Sequence, residues 1–142
     1  MGKSVIKQVI VVRDKYPDGK GGTKSLRKGK LIAQGSHASM AFMTRRVATS
    51  GQYKKIGVAE IPFTKAEREW LNSSFAKVCV RVGSEEELME IQQKAQEAQL
   101  EVHLITDSGL TEFHGVPTKT CLAIGPDYSD KIDSITGDLK LL

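Results

Sequence analysis

Two unbroken apolar runs limit what this chain can fold into: Val9-Ile-Val-Val12, and the Cys-Leu-Ala-Ile stretch within Thr120–Gly125. A strand with one wet face alternates apolar and polar residues, whereas one that is apolar at every position is covered on both faces. Both runs therefore predict central strands of a sheet. Ala76–Val82 reads differently. Val78, Val80 and Val82 point one way and Lys77, Cys79 and Arg81 the other, the pattern of a half-covered edge strand. Glu101–Thr106 is a further strand. Helical patterns lie between them: one from Lys28 to about Thr49, one opened by the capping box Thr64-Lys-Ala-Glu67, and one opened by Ser84-Glu-Glu-Glu87. Strands alternating with helices give a layered α/β sheet.

The 142 residues suffice for one domain, 1–142, with a real core. Residues 14–27 are predicted to be a Gly/Lys-rich loop, residues 50–63 irregular, and the tail SITGDLKLL to dock back on the body, turned at Gly137. No apolar run approaches the roughly 18 residues of a membrane span. The N-terminal stretch enters a strand without a small-residue cleavage site, which argues against a secretory signal. Cys79 and Cys121 both fall in strands and are expected to be buried free thiols, pointing to the reducing cytoplasm.

Charge is divided unevenly. Residues 1–55 hold 13 Lys and Arg against 2 acids, and the remainder hold 8 against 15. A basic half and an acidic half in one small domain point to a polyanionic partner on one face, with nucleic acid the first candidate.

Within the basic half, Lys30, Gln34 and His37 recur at i, i+4 and i+7, on one narrow face of the first helix. Ala41 continues that face. Leu31, Ile32, Met40, Phe42, Met43 and Val47 are expected to form the opposite, sheet-facing side, with Gly35 and Ser39 allowing close approach. Lys28 and Lys30 occupy the first turn, where the helix dipole already presents positive charge and acids would be preferred for stability. Positive charge beside free backbone N–H groups suits a phosphate or carboxylate.

Asp107-Ser-Gly-Leu-Thr111 follows the third of the four main strands, and ligands of α/β sheets gather outside carboxyl strand ends. If that strand runs parallel to the first, Asp107 meets the Lys30–Gln34–His37 face, and the next loop adds Thr111, Glu112, His114, Thr118 and Thr120. An acid, an amide, hydroxyls and an ammonium converging on a cleft can activate water and hold an ester carbonyl. Other motifs fail. GKGGTKS lies between a strand and a helix, but Thr23 and Asp18 stand where a P-loop requires glycine. Gly35-Ser36-His37 lacks the nucleophile-elbow pattern. His37, His103 and His114 show no zinc spacing with the two cysteines, and His103, alternating within a strand, reads as structural.

The ordered blocks VIVVR, KGKLIAQGSHAS, DSGLT, TKTCLAIGP and TGDLKLL, spanning nearly the whole chain, resemble the peptidyl-tRNA hydrolases of the archaeal and eukaryotic type. The resemblance implies a three-layer α/β/α sandwich around a four-stranded mixed sheet, commonly a homodimer, with no metal or organic cofactor. It implies hydrolysis of the ester joining a peptide to the 3′ end of tRNA. It carries functional residues onto Lys30, Gln34, His37, Asp107, Thr111 and Thr120, with Lys28 and Thr118 beside them. Asp107 would orient or deprotonate water, with or without His37. Lys30 would hold the terminal phosphate or stabilise the oxyanion, and Gln34 with Thr120 would position the carbonyl.

Three features depart from that family. It usually joins VVR to KGK by a short turn, where this chain has about a dozen Gly- and Lys-rich residues. Glu112 follows Thr111 where Gln is common, and the Phe113–Pro117 loop is one residue longer, with Pro117 where Gly is usual. Two further readings stay open: a tRNA- or protein-binding module that has lost turnover on the same fold, and an ATP-dependent enzyme using the Gly-Lys loop, which the broken motif disfavours.

Overall fold

Six consecutive residues of the first strand, Gln8 to Arg13, are buried, as a strand covered on both faces requires. The computed structural model describes residues 5–110 and 113–142. In chain order the elements are β1 (Ile6–Arg13), β2 (Tyr16–Pro17), β3 (Thr23–Lys24), α1 (Lys28–Ala48), α2 (Gly51–Ile56), α3 (Lys65–Leu71), β4 (Lys77–Val82), α4 (Glu85–Glu97), β5 (Val102–Asp107), β6 (Thr118–Tyr128) and α5 (Ser129–Thr136). Four strands form one mixed sheet in the order β4-β1-β6-β5. The two apolar runs are its central strands and the alternating one is an edge, as the patterns predict.

Side chains alternate across the sheet, so each central strand feeds two cores. Val9, Val11, Leu122 and Ile124 pack with Val80 and Val82 against Leu88, Ile91 and Ala95 of α4 and Ile132 of α5. Ile10, Val12, Cys121 and Ala123 face Ala38 of α1, with Leu31 and Ile105 alongside. Buried Gln8 ties β1 to this helix: its amide donates to the Ser39 carbonyl at 2.9 Å and accepts from the Ser39 hydroxyl at 2.6 Å. The Trp70 ring of α3 meets Phe42 of α1 edge-on at 6.0 Å. The result is a three-layer α/β/α sandwich around a four-stranded mixed sheet.

The layers also separate the charge. The helices of one face begin Glu85-Glu86-Glu87 and carry Asp130 in the first turn of α5. The other face has α1, with no acid in its first turn and Arg45 and Arg46 in its last.

The sheet-facing side of α1 is only partly the one predicted: Leu31, Ser39 and Phe42 pack inward as expected, but the buried face is rotated to take in Gln34 and Ala41 as well. Gln34, Ala38, Ser39, Ala41 and Phe42 are buried, while Ile32 and Met40 are 71% and 53% exposed. Small Ala38 and Ala41 let the helix approach the strands. Gln34 is tolerated beneath it because its polar atoms are all paired, which removes most of the burial penalty. Cys79, expected to be buried, is exposed, since β4 turns it to the solvent side; Cys121 is buried as expected.

Three segments carry more structure than their sequence suggests. Residues 50–63 contain α2, whose Ser50 hydroxyl caps Tyr53 N–H at 3.2 Å. The 14–27 loop contains the β2–β3 hairpin. Helix α5 runs into the first three residues of the tail. The tail itself docks as expected: Leu141 bridges Val80, and Leu142 N–H donates to the Cys79 carbonyl at 3.1 Å, covering the β4 edge. Among the described residues, no helix is long and apolar enough to cross a membrane.

Candidate active site

β6 runs antiparallel to both β1 and β5, so β1 and β5 run parallel and end at the same edge of the sheet. The chain leaving β1 reaches that edge again as the first turn of α1. Asp107, the last residue of β5, lies two residues beyond Ile105 and so shares its α1-facing side. The condition for bringing the acid to the helix is met.

A bulge completes the site. Ile105 pairs with Cys121 and Thr106 with Lys119, leaving Thr120 as an extra residue on β6. Strict alternation would send Thr120 to the face opposite Cys121. The bulge instead turns both toward α1: the Thr120 hydroxyl donates to Gln34 Oε1 at 2.5 Å, and the Cys121 thiol donates to the Gln34 carbonyl at 3.2 Å. Burial pushes the Cys121 thiol up to about 11, so it serves here as a neutral donor.

Asp107 is the hub. Its Oδ1 accepts from Lys30 Nζ at 2.8 Å and from Gln34 Nε2 at 3.2 Å, and its Oδ2 accepts from the Gly109 backbone N–H at 2.9 Å. The amide of Gln34 can sit only one way round, because the reverse would turn its oxygen on the carboxylate. The Lys30 ammonium, against the opposing effect of burial and with help from the Gly109 N–H, holds the Asp107 carboxyl below the usual carboxylate range. The Lys30 and Asp107 side chains are 16% and 10% exposed, whereas Gln34 and Thr120 are 3% and 1% exposed. The charged pair meets solvent; the amide and hydroxyl lie behind it.

Gly109 shapes the turn that follows. Its φ is +85°, and a Cβ there would come within 2.2 Å of the Val116 carbonyl oxygen. Gly109→Ala is therefore expected to push the Val116 backbone away and withdraw the N–H from Asp107, lowering kcat/KM about tenfold or more through left-handed strain and the clash. Steady-state kinetics beside a thermal melt check this; unchanged turnover would show that the Gly109 N–H is dispensable.

Of the predicted residues, Lys30, Gln34, Asp107 and Thr120 converge. Lys28 is exposed at the first position of α1, nearly two turns before Gln34. Thr118 lies opposite Asp107 across the strands and spends its hydroxyl on the Val116 carbonyl at 2.8 Å. His37 and His114 are exposed, and among the described residues neither has a hydrogen bond to Asp107. Thr111 and Glu112 lie outside the described residues. His103 is held between Glu101 at 2.9 Å and Arg45 at 2.9 Å, far along α1 from Lys30. Among the described residues, no three His, Cys, Asp or Glu side chains group to hold a metal ion.

The sequence reading missed the support beneath the 113–117 loop. Buried Tyr16 packs at a tilt against Phe113 with ring centroids 5.1 Å apart, Leu26 joins them, and the Arg13 guanidinium lies 4.4 Å from the Tyr16 ring centroid. The signal was present: Tyr16 is the only aromatic residue of the 14–27 loop and Leu26 its only aliphatic one.

Comparison with known proteins identifies the family. The family model for peptidyl-tRNA hydrolase PTH2 matches residues 6–142. A protein named peptidyl-tRNA hydrolase from Methanothermobacter thermautotrophicus is 39% identical over 96% of this chain and 100% of its own length. One of the same name from Methanocaldococcus jannaschii is 38% identical over 96% and 100%. A probable peptidyl-tRNA hydrolase 2 from Drosophila melanogaster is 38% identical over 96% of this chain and 61% of its own length. Because the family match spans residues 6–142, and with them every strand and helix that builds the Asp107 edge, the chain belongs to the peptidyl-tRNA hydrolase PTH2 family.

Proposed function

We propose that this protein hydrolyses the ester between the peptide and the 3′ end of tRNA in peptidyl-tRNA, freeing the tRNA for reuse. The observation that carries the reading is the Lys30–Asp107 pair, narrowly open to solvent and braced from behind by Gln34 and Thr120. A carboxylate beside an ammonium at a strand end, next to the basic start of a helix, suits an ester flanked by phosphates.

In the proposed mechanism Asp107 stays ionised and acts by orientation. A carboxylate has about four acceptor positions; Lys30, Gln34 and Gly109 take three, and the fourth holds the attacking water. Its lowered pKa makes it a weak base. The water oxygen bonds to the carbonyl carbon, the bond to the ribose oxygen breaks, and the water's proton passes to that oxygen. The products are the free peptide acid and tRNA. The Lys30 ammonium stabilises the charge developing on the carbonyl oxygen. Gln34 and Thr120 are positioning residues: both are buried, Gln34 holding Asp107 and Thr120 holding Gln34.

Lys28 and the first turn of α1, which has neither an acid nor a side-chain cap, provide the seat for the terminal phosphate. Thr118 borders the same cleft in this reading. His37 is not needed for the step. The same reading places the protein in the cytoplasm, where peptidyl-tRNA arises, as a homodimer without a cofactor.

The test is release of N-acetylated amino acid from purified N-acetyl-aminoacyl-tRNA. Multiple turnovers are expected from the unmodified protein. Salt-sensitive tRNA binding with no release would replace the enzyme by a binding module.

A further inference from the structure

The β2–β3 hairpin and its flanks carry positive charge at exposed positions. The hairpin turn is built to stay folded: Asp18 Oδ1 accepts from the Lys20 and Gly22 backbone N–H groups at 2.7 and 3.0 Å, and Gly19 and Gly21 supply φ of +77° and +83°. Its root is fixed. Tyr16 and Leu26 are buried against Phe113, Arg13 donates to the Lys15 carbonyl at 3.0 Å, and the Ser25 hydroxyl donates to the Asp14 carbonyl at 3.0 Å. The arm is thereby tied to the loop that follows Asp107.

What this arm presents outward is cationic. Lys15, Lys20, Lys24 and Arg27 are exposed, and Lys28 continues the series into α1. The two acids in the segment are engaged, Asp18 inside the turn and Asp14 opposite Arg81 at 3.5 Å. The one aromatic ring, Tyr16, is 2% exposed, so no face is offered for stacking a base. Lysines without aromatic platforms or bidentate edges contact phosphate and carry no sequence information.

We infer that the 14–27 hairpin is a binding arm for the sugar-phosphate backbone of the RNA that leads away from the ester, engaging it independently of sequence. This rests on the peptidyl-tRNA reading for the identity of the RNA, and on the hairpin's own anchoring and charge for the contact. The arm adds affinity for the tRNA body and takes no part in the chemical step.

The test compares Lys15→Glu/Lys20→Glu with the unmodified protein on two substrates: N-acetyl-aminoacyl-tRNA, and the same N-acetyl-aminoacyl ester on adenosine alone. With tRNA, KM and the tRNA dissociation constant are expected to rise about tenfold with kcat within about twofold. The slope of log affinity against log salt should become shallower by about 2. With the adenosine ester, nothing should change. Lys54→Glu/Lys55→Glu makes the same charge change on α2, beyond the far end of α1, and is expected to leave both substrates unaffected. Normal tRNA affinity in the hairpin variant, or an equal loss in the α2 variant, overturns the arm. If the unmodified protein binds tRNA through Lys15 and Lys20 but hydrolyses neither ester, the enzymatic reading fails and the arm stands.

Discussion

Asp107→Asn is expected to lower kcat for N-acetyl-aminoacyl-tRNA by about 10²- to 10⁴-fold, the range for losing a positioned acid–base or orienting group. The change is nearly isosteric, so the Gly109 turn and the sheet edge should persist. The negative charge that orders both the water and Lys30 is lost. KM should move far less than kcat, because the phosphate contacts assigned to α1 are untouched. Single-turnover release, beside circular dichroism to verify the fold, checks this. Near-normal hydrolysis would remove the carboxylate from the mechanism.

The pH dependence follows from the same pair. Because Lys30 depresses the Asp107 pKa, the carboxylate remains ionised throughout the neutral range. The contribution of this pair to stability is fully present above the ordinary aspartate value of about 4 and is lost as pH falls through the lower folded value. The acid limb of kcat/KM due to Asp107 is therefore expected below the usual carboxylate range. A limb near neutrality that disappears in Asp107→Asn would contradict the orienting role and restore general-base catalysis.

The second large effect concerns stability. Arg46→Met is expected to cost about 3 kcal/mol, as removing one partner of a buried ion pair does. Arg46 donates to both oxygens of Glu67 at 2.9 and 2.8 Å and to Glu101 at 2.7 Å. The Glu67 side chain is 3% exposed. Without Arg46 its carboxylate would keep the Thr64 backbone N–H at 2.8 Å and little else to offset desolvation. Adding Glu67→Gln to Arg46→Met should recover part of the loss by removing the uncompensated charge. Urea denaturation of the two single variants and the double variant measures the coupling. An Arg46→Met protein within about 0.5 kcal/mol of the parent would show that the Glu67 site hydrates freely.

Glu67 also illustrates what a sequence can and cannot say. The Thr64-Lys-Ala-Glu67 pattern announced a capping box, and the reciprocal bonds are present. That signal is local, reaching three residues. The second role of Glu67, clamping α1 to α3 through Arg46, joins residues 21 apart in sequence, and no spacing rule encodes it.

Local and periodic signals determined the frame. Continuous apolar runs require cover on both faces and alternating ones on a single face, so the central and edge strands could be read directly, and with them the layered α/β class. The i, i+4 spacing of Lys30 and Gln34 likewise put them on one side of a helix, and a polar turn after a strand marked Asp107. Tertiary structure decided the rest. Period alone cannot say which side of α1 meets the sheet when a paired glutamine is as acceptable there as an isoleucine. His37 shares the helical face of Lys30, but its side chain is exposed and, among the described residues, has no hydrogen bond to the carboxylate. Thr120 reaches Gln34 only because a bulge cancels the alternation that would have turned it away. Whether the Gly/Lys-rich segment would hold a shape depended on Tyr16 and Leu26 finding Phe113, nearly a hundred residues later in the chain. Contacts of that kind depend on which strands become neighbours, which the whole fold settles and no stretch of sequence contains.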